Sequence, residues 1–522
     1  MMLKKSSVPL DNQEKFGQAR LTNFLWVPLA IIIFIGAFWP FMQIEKASLW
    51  LDEFWSIYFS DPSQSLYDLY RSRILQELHP PLYFILNHLW MGIYNENIYA
   101  PRILSALLGL CLLGVATYMN RRILSMNARL FLLAFIVTGY SFVHFSTEAR
   151  NYMLSFLIGT IQVFIFHELA TNVLHRLKTD KILLIGFALI SILNGLIHYY
   201  GFIYSGALFA VLCLLSAMKT KWSELLGFAS AGCAVFIVNG SYAIWALTHT
   251  RFSIHNNWIP GDLSYQTWTI REYLWLAIGG HHGSLLLVLS VSVLIAYFIL
   301  RGRSFELSSL ALPIAPHILS IVIFITLALI ISRLWAPSIT TRNLLVSIPS
   351  FWIAFALAIN AMSASRMPSV KTCSLLLLLL IPAWGLPFAM ASGGKNKEEW
   401  RASAAFVNSI QACHGKDIPV YAGPRPIEHE FFFGFYLQPD LLMKPVLVSD
   451  ERAQFDHHCP IRLWTVRFLD EPLVKSTIKD LGAKAQIIEF RNKKMWTCWF
   501  KSCSLNDHVG ERMAIIVLEK DD

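Results

Sequence analysis

The chain has 522 residues, of which 55% are hydrophobic and only 15% are charged, and its mean hydropathy is +0.50. Soluble proteins have about 25% charged residues, so a soluble enzyme, a disordered scaffold and a nucleic-acid-binding protein are all disfavoured. The net charge of +9 does not favour nucleic acid as a partner, because Lys and Arg occur in small groups between apolar segments. Such groups in short loops mark the cytoplasmic side of membrane proteins. The composition therefore predicts a polytopic membrane protein.

About eleven apolar segments have roughly the length that a helix needs to cross a bilayer. They lie at about residues 24–42, 99–119, 130–145, 152–169, 182–198, 202–218, 225–247, 285–300, 312–333, 344–361 and 373–390. With the basic groups inside, an odd number of spans places the N-terminus in the cytoplasm and the C-terminal part outside. We therefore expect a multi-pass protein of a bacterial inner membrane with a periplasmic C-terminal domain.

The predicted transmembrane domain covers residues 1–392 and contains a large first outer loop at residues 43–98. Two segments of this loop, residues 48–59 and 81–94, have apolar side chains at helical spacing but are too short to span. They are predicted to be amphipathic helices at the membrane surface, and the first of them contains Asp52 and Glu53.

Residues 393–522 are more polar and are predicted to form a small soluble α/β domain. A helix is expected at residues 398–410, followed by strands near 419–422, 445–448, 461–468, 486–490, 495–500 and 513–518. Four cysteines fall in this part, and they allow three disulfide pairings. They are Cys413, Cys459, Cys498 and Cys503.

Charged and aromatic polar residues collect at the predicted outer ends of the spans, whereas no repeat and no nucleotide-binding loop is found. Besides Asp52 and Glu53, they include Glu77, His79, Glu148, Arg150, His198, Tyr199, Arg333 and Arg342. Basic residues on the outside oppose the positive-inside tendency and need a reason. A phosphate is the simplest reason, because Arg matches phosphate geometry with two parallel hydrogen bonds. The pattern predicts chemistry on a lipid-linked phosphate.

Three motifs in this order carry a family resemblance: the segment from Leu49 to Glu53, the segment from His79 to Tyr83 and the segment from Glu148 to Tyr152. They resemble the GT-C membrane glycosyltransferases, and within them the protein O-mannosyltransferase and lipid A aminoarabinose transferase superfamily, including bacterial glycosyltransferases of the family 39 type. The segments from His198 to Gly201 and from Thr341 to Asn343 are similar to pieces of its smaller bacterial members. The resemblance covers residues 20 to 360.

The resemblance implies a GT-C fold and an inverting transfer of a sugar from a polyprenyl-phosphate carrier to a hydroxyl acceptor outside the membrane. The catalytic carboxylate maps onto Asp52, with Glu53 beside it, and the acidic residue of the second outer loop maps onto Glu148. The residue before the Pro pair, which helps to hold the carrier phosphate, is Lys in the aminoarabinose branch and His79 here. That departure disfavours aminoarabinose transfer itself.

Further substrate contacts are expected from the same outer ends. They come from Arg150, Tyr152, Tyr199, Arg333 and Arg342. No cofactor is required for this chemistry. Some relatives hold a metal near these loops, and a divalent ion bound by Glu77 and His198 is an option that the spacing alone does not specify.

The expected partners are a polyprenyl-phosphate-linked sugar, an acceptor that is a glycolipid, a polysaccharide or a protein, and the membrane lipids, but no nucleic acid. The sugar and the carrier length stay open. An alternative function is a transporter or flippase of a lipid-linked sugar, which would have paired ionisable residues deep inside its spans and a repeat between its halves. A third is a non-catalytic assembly subunit, which would bind the carrier lipid but tolerate the loss of Asp52.

Overall fold

The computed structural model describes residues 26–77, 79–94, 97–249, 259–279, 307–364, 368–392, 398–423, 428–446, 458–466, 472–490 and 514–519. The chain divides into two compact units. The helical unit consists of Met1–Met42 and Ser60–Gly393. The sheet unit consists of Gln43–Phe59 and Gly394–Asp522.

Among the described residues, 8 helices are long and apolar enough to cross a membrane. They are Trp26–Gln43, Ala100–Arg122, Tyr152–Leu174, Tyr199–Met218, Trp222–Ala246, Leu312–Leu334, Thr341–Ala364 and Val370–Ala391. Two shorter apolar helices, Met126–Thr138 and Lys181–Ile197, coincide with further predicted spans. The span predicted at 285–300 lies outside the described residues. The prediction of a polytopic helical membrane protein is confirmed.

The third predicted span, at 130–145, is two helices in the structure. Met126–Thr138 ends at Gly139, whose extended backbone (φ −73°, ψ 137°) breaks the helical hydrogen-bond ladder, and Tyr140–Phe145 begins directly after it. Among the described residues of the helical unit, further α-helices are Leu66–Ser72, Leu82–Ile93 and Leu263–Ala277. The helix Leu82–Ile93 begins directly after Pro81, as the sequence predicts. Proline is favourable at a helix start because it lacks an N–H, and the N–H groups there have no acceptor within the helix.

The sheet unit contains five described strands: β1 (Asp417–Tyr421), β2 (Leu442–Pro445), β3 (Ile461–Val466), β4 (Ala485–Phe490) and β5 (Ala514–Glu519). Their order is β2-β1-β3-β5-β4. The first three strands are parallel, whereas β5 pairs antiparallel with β3 and β4. The unit also contains the helices Trp400–Ser409 and Pro472–Leu481. The predicted α/β class is therefore confirmed.

One predicted strand lies at a shifted position, and another falls outside the described residues. The strand expected at 445–448 lies earlier, at Leu442–Pro445, because this segment pairs with β1 from Asp417 onward. The strand expected at 495–500 falls outside the described residues. Of the four cysteines that the sequence analysis named here, Cys413 and Cys459 form a disulfide, whereas Cys498 and Cys503 lie outside the described residues.

The segment Gln43–Phe59 packs within the sheet unit, although the sequence analysis placed it with the transmembrane domain 1–392. The Leu49 N–H donates to the Tyr436 hydroxyl at 2.9 Å. The Arg401 guanidinium donates to the carbonyl oxygens of Glu45 and Lys46, each at 2.7 Å. Backbone groups of this segment thus pair with side chains from much later in the chain. The two Arg401 bonds join residues that are 356 and 355 positions apart.

Candidate active site

The helix Leu51–Tyr58, here called the acidic helix, presents two carboxylates in its first turn. This position is favourable for anions because the unpaired N–H groups of a helix N-terminus carry partial positive charge. The Glu53 side chain is fully buried and accepts a hydrogen bond from the Trp50 N–H at 3.3 Å. Asp52 is half-buried, and its backbone carbonyl accepts from the Ser56 hydroxyl at 3.1 Å. The two neighbouring carboxylates therefore differ: Glu53 caps its own helix, and Asp52 is the more accessible one.

A third carboxylate, which the sequence analysis did not single out, anchors the same helix end. Glu398 is fully buried, and its Oε2 accepts from the Leu51 N–H at 3.0 Å and from the Trp400 indole N–H at 2.7 Å. Its backbone carbonyl accepts from the Ser48 hydroxyl at 2.7 Å. No local pattern marks Glu398, because its partners Ser48 and Leu51 are 350 and 347 residues away in the sequence.

The apolar stripe of the acidic helix packs against aromatic rings of the sheet unit. The Phe54 ring lies 5.3 Å from those of Trp400 and Phe432 and 5.1 Å from that of Phe435. Trp55 adds an edge contact to Phe432 at 5.0 Å. The sequence predicts a helix at the membrane surface from this apolar stripe. In the structure the stripe packs largely against the aromatic rings of the sheet unit, which removes it from water.

Several polar loops of the helical unit meet at one end of its helices. The His79 imidazole contacts the Glu77 carboxylate through Nδ1, and its ring centroid lies 5.5 Å from that of His198. His198 caps the helix Tyr199–Met218 by accepting the Tyr200 N–H at 3.1 Å. The Asn151 amide donates to the Ile197 carbonyl at 3.1 Å, so the loop that carries Glu148 and Arg150 is tied to this turn. The sequence-predicted residues of three separate loops are thus brought together.

The His198 imidazole is neutral at physiological pH. Burial, together with the neighbouring His79 and Arg150, lowers its pKa from 6.5 to about 3, against a hydrogen bond with the Asn343 side chain that raises it. Asn343 in turn donates to the Ser338 carbonyl at 2.7 Å. A fourth loop therefore reaches the same place.

Glu148 is, besides Glu77, a second carboxylate at this end of the helical unit. Its Oε1 lies 2.9 Å from the His144 Nε2, and its backbone carbonyl accepts from the Ser105 hydroxyl at 2.6 Å. The Tyr140 ring stacks on His144 at 4.8 Å. The Tyr140 phenol interacts electrostatically with both Glu148 and Arg342. Glu148 and Arg342 are therefore both close enough to this phenol to act on it.

The remaining predicted residues have different surroundings. Tyr152 is buried against the Phe145 ring at 4.6 Å, which is a packing position. Tyr199 interacts electrostatically with Glu77. Arg333 is exposed in the last turn of its helix, and within the described part of the chain no recorded contact joins it to the loops above.

The metal prediction named Glu77 and His198. In the described residues His79 contacts both of them, but no group of three or more His, Cys, Asp or Glu is arranged to hold an ion. The donor set does not define a metal site, so no chemical step is assigned to a metal here.

Sequence reasoning also missed a pair of histidines inside the spans. His167 Nδ1 and His317 Nε2 are 3.0 Å apart, and both side chains are buried. The sequence analysis placed the ionisable residues at the outer ends of the spans, and this pair corrects it. The two residues lie in the helices Tyr152–Leu174 and Leu312–Leu334, 150 positions apart, so only their packing reveals the pair.

No protein-family model matches the chain, and no curated protein matches it either. Solved structures do. The chain is similar to ArnT from Cupriavidus metallidurans bound to undecaprenyl phosphate, with a TM-score of 0.51 and 12% identity over 95% of this chain and 98% of that chain. It is equally similar to the same protein in the apo state, with a TM-score of 0.52 and 13% identity over 96% and 98% of the two chains. The resemblance drawn from the motifs is therefore confirmed at the level of the fold: this chain has the fold of ArnT.

Proposed function

We propose that this chain is an inverting glycosyltransferase that moves a sugar from a polyprenyl-phosphate carrier to a hydroxyl acceptor at the outer face of a bacterial inner membrane. The observation that carries the proposal is the meeting of cationic and carboxylate side chains from separate loops at one end of apolar helices. Arg150 is only 7% exposed there and interacts with His198, which is itself 8% exposed. The undecaprenyl phosphate bound by ArnT supports a lipid phosphate as the ligand.

The polar end supplies what a departing phosphate requires. Breaking a sugar–phosphate bond concentrates negative charge on the phosphate, and fixed positive charges in a poorly solvated place stabilise it. Arg150 and Arg342 are assigned this role, since a guanidinium matches a phosphate with paired hydrogen bonds. His79 is assigned to the phosphate as a hydrogen-bond donor, which its contact with Glu77 orients.

The acceptor hydroxyl requires a base. Asp52 is assigned this role because it is half-buried in the first turn of the acidic helix, whereas the Glu53 side chain is buried and accepts a hydrogen bond from the Trp50 N–H. As the hydroxyl oxygen attacks the anomeric carbon, its proton passes to the Asp52 carboxylate, and the bond between that carbon and the phosphate oxygen breaks with its electron pair going to the phosphate. Attack from the side opposite to the phosphate inverts the anomeric centre.

The test is sugar transfer by the full chain in liposomes, with radiolabelled polyprenyl-phosphate sugars and an extract of cell-envelope acceptors. Asp52→Asn is expected to reduce transfer by about 10²-fold or more while undecaprenyl phosphate still binds. Arg150→Ala is expected to weaken binding of undecaprenyl phosphate, whereas Arg122→Ala, an exposed arginine at the end of another helix, is the matched control and should not. Undiminished transfer by Asp52→Asn would remove the assignment of the base.

The sugar, the acceptor and the location can be identified in cells. Mass spectrometry of glycolipids, polysaccharides and glycoproteins from a deletion strain should show one envelope component that has lost a sugar residue. Protease accessibility of residues 393–522 in spheroplasts checks that the sheet unit is periplasmic. An unchanged envelope would count against a transferase.

A second candidate is a flippase for a lipid-linked sugar, which the buried His167–His317 pair favours. Ionisable residues inside spans are expensive and mark functional pathways in many transporters. Movement of a fluorescent polyprenyl-phosphate sugar across vesicles, abolished by His317→Ala while sugar transfer persists, would favour this candidate over the first.

A further inference from the structure

Three aromatic side chains of the helical unit, those of Tyr70, Tyr242 and Trp245, pack together, and a fourth, Tyr199, interacts electrostatically with Tyr70, Tyr242 and Glu77. Tyr70 comes from the outer loop, Tyr199 from the turn after His198, and Tyr242 and Trp245 from the last turns of the helix Trp222–His249. We propose that these four residues, the aromatic platform, bind the ring of a substrate sugar. The proposal rests on the proposed function, in which a sugar phosphate is held beside His79.

The geometry gives the platform flat faces. The Tyr70 and Trp245 rings are 6.4 Å apart and nearly parallel, with 5° between their planes. The Tyr242 ring lies 6.0 Å from that of Trp245 and is tilted by 46°. Two parallel rings present faces in the same direction, and such faces attract the partly positive C–H groups of a saturated ring through the negative charge of the π-system.

The edge of the platform is polar. The Tyr70 and Tyr242 phenols interact with each other, and Tyr199 interacts electrostatically with both phenols and with the Glu77 carboxylate. Three hydroxyls and a carboxylate at the rim of aromatic faces match a ligand that is apolar on its ring faces and rich in hydroxyls at its edge. A sugar ring has this character. An isoprenyl chain does not, because it offers no partner for the phenols.

Exposure agrees with a binding surface. The Trp245 side chain is 36% exposed, and those of Tyr70, Tyr199 and Tyr242 are half-buried. The electrostatic interaction between Tyr199 and Glu77 relates the platform to His79, whose Nδ1 contacts the same Glu77 carboxylate. A sugar on the platform would therefore be next to the phosphate-binding residue. Either the donor sugar or a sugar of the acceptor fits this chemistry.

The experiment measures equilibrium binding to the full chain in nanodiscs, in two arms. The donor arm compares farnesyl phosphate with a panel of farnesyl-phosphate hexosides and pentosides. The acceptor arm titrates methyl hexosides and pentosides in the presence of saturating farnesyl phosphate. Trp245→Ala is expected to weaken glycoside binding at least tenfold in one arm, which identifies the source of the sugar, and to leave farnesyl phosphate within twofold. Trp245→Phe should restore most of the loss.

The matched control is Trp222→Ala, which removes a 63% exposed tryptophan from the other end of the same helix. It distinguishes the platform from the tryptophans and tyrosines that collect at membrane interfaces. Equal weakening of farnesyl phosphate and its glycosides by Trp245→Ala, no weakening in either arm, or no glycoside binding by the unaltered chain would overturn the inference. Because transfer is not measured, platform binding without any sugar transfer in the separate assay would reject the proposed function and leave the inference standing.

Discussion

The Leu51 N–H donates to the Glu398 carboxylate at 3.0 Å, across 347 positions of sequence. This bond fixes the end of the acidic helix from which Asp52 projects. The Glu398 carboxylate also accepts a hydrogen bond from the Trp400 indole N–H, and the Trp400 ring packs against Phe54 of the acidic helix. One buried carboxylate therefore stabilises both the start of the acidic helix and its packing.

Glu398→Ala should destabilise the chain by about 1–3 kcal/mol, because it leaves the Leu51 N–H and the Trp400 N–H buried without their acceptor. Glu398→Gln should cost less, since the amide oxygen still accepts. The measurement is thermal unfolding in detergent, followed by tryptophan fluorescence. Gln486→Ala, at an exposed position of β4, is the control and should leave the transition unchanged. An effect of Glu398→Ala no larger than that of the control would contradict the anchoring role.

Substitutions of Asp52 and of Glu53 should differ in their effects on stability and on the rate of sugar transfer. Glu53→Gln is expected to lower stability, because a neutral amide is a weaker acceptor for the Trp50 N–H and interacts less with the helix N-terminus. Asp52→Asn keeps the size of a half-buried side chain, so it is expected to lower stability less than Glu53→Gln does, but to lower transfer far more. Unfolding and initial rates measured on the same preparations check this. Loss of rate in strict proportion to loss of folded protein for both variants would mean that neither carboxylate acts chemically.

Gly201→Ala should disturb the His198 turn. A Cβ at Gly201 would lie 2.4 Å from the Asn194 carbonyl oxygen, and the Gly201 N–H donates to the His198 carbonyl at 2.8 Å. We expect a destabilisation of about 1–3 kcal/mol, as for overpacking, together with weaker binding of undecaprenyl phosphate. Gly206→Ala is the control on the same helix, since its Cβ would meet nothing within 4 Å. That control should be neutral or slightly stabilising. Equal behaviour of the two alanine variants would show that close packing at Gly201 is unimportant.

The pair His414–Asp440 should make the sheet unit sensitive to pH. The hydrogen bond to Asp440 (2.6 Å) and a second one to the Asn408 carbonyl (3.2 Å) raise the pKa of His414 above 6.5, and the same histidine lowers the pKa of Asp440 below 3.8. A raised histidine pKa stabilises the fold below pH 6.5, and this stabilisation is lost as the pH rises through the raised value. A lowered aspartate pKa stabilises it above pH 3.8, and that is lost as the pH falls through the lowered value.

The small stabilisation from this pair should therefore be largest between pH 3.8 and 6.5. Histidine NMR titration of the full chain should find the pKa of His414 above 6.5, and Asp440→Asn should bring it back towards that value. An unchanged titration in Asp440→Asn would show that the pair has no effect in solution.

The length and spacing of apolar segments were sufficient to predict a polytopic helical membrane protein. Spans such as Tyr152–Leu174 depend on about 20 consecutive apolar residues, which is a local property. The acidic helix and the helix Leu82–Ile93 were also predicted from a local property, namely apolar side chains three and four positions apart. The break at Gly139 was missed, because an isolated glycine is tolerated in many helices.

The tertiary structure alone decided which distant residues meet. It joined His79 to His198, Glu398 to the acidic helix and His167 to His317, and it paired Cys413 with Cys459 among three possibilities. The sequence determined which side chains have the required chemistry, because that depends on residue type and local spacing. Their partners depend on how separate helices and strands pack, and no pattern within one segment contains that information.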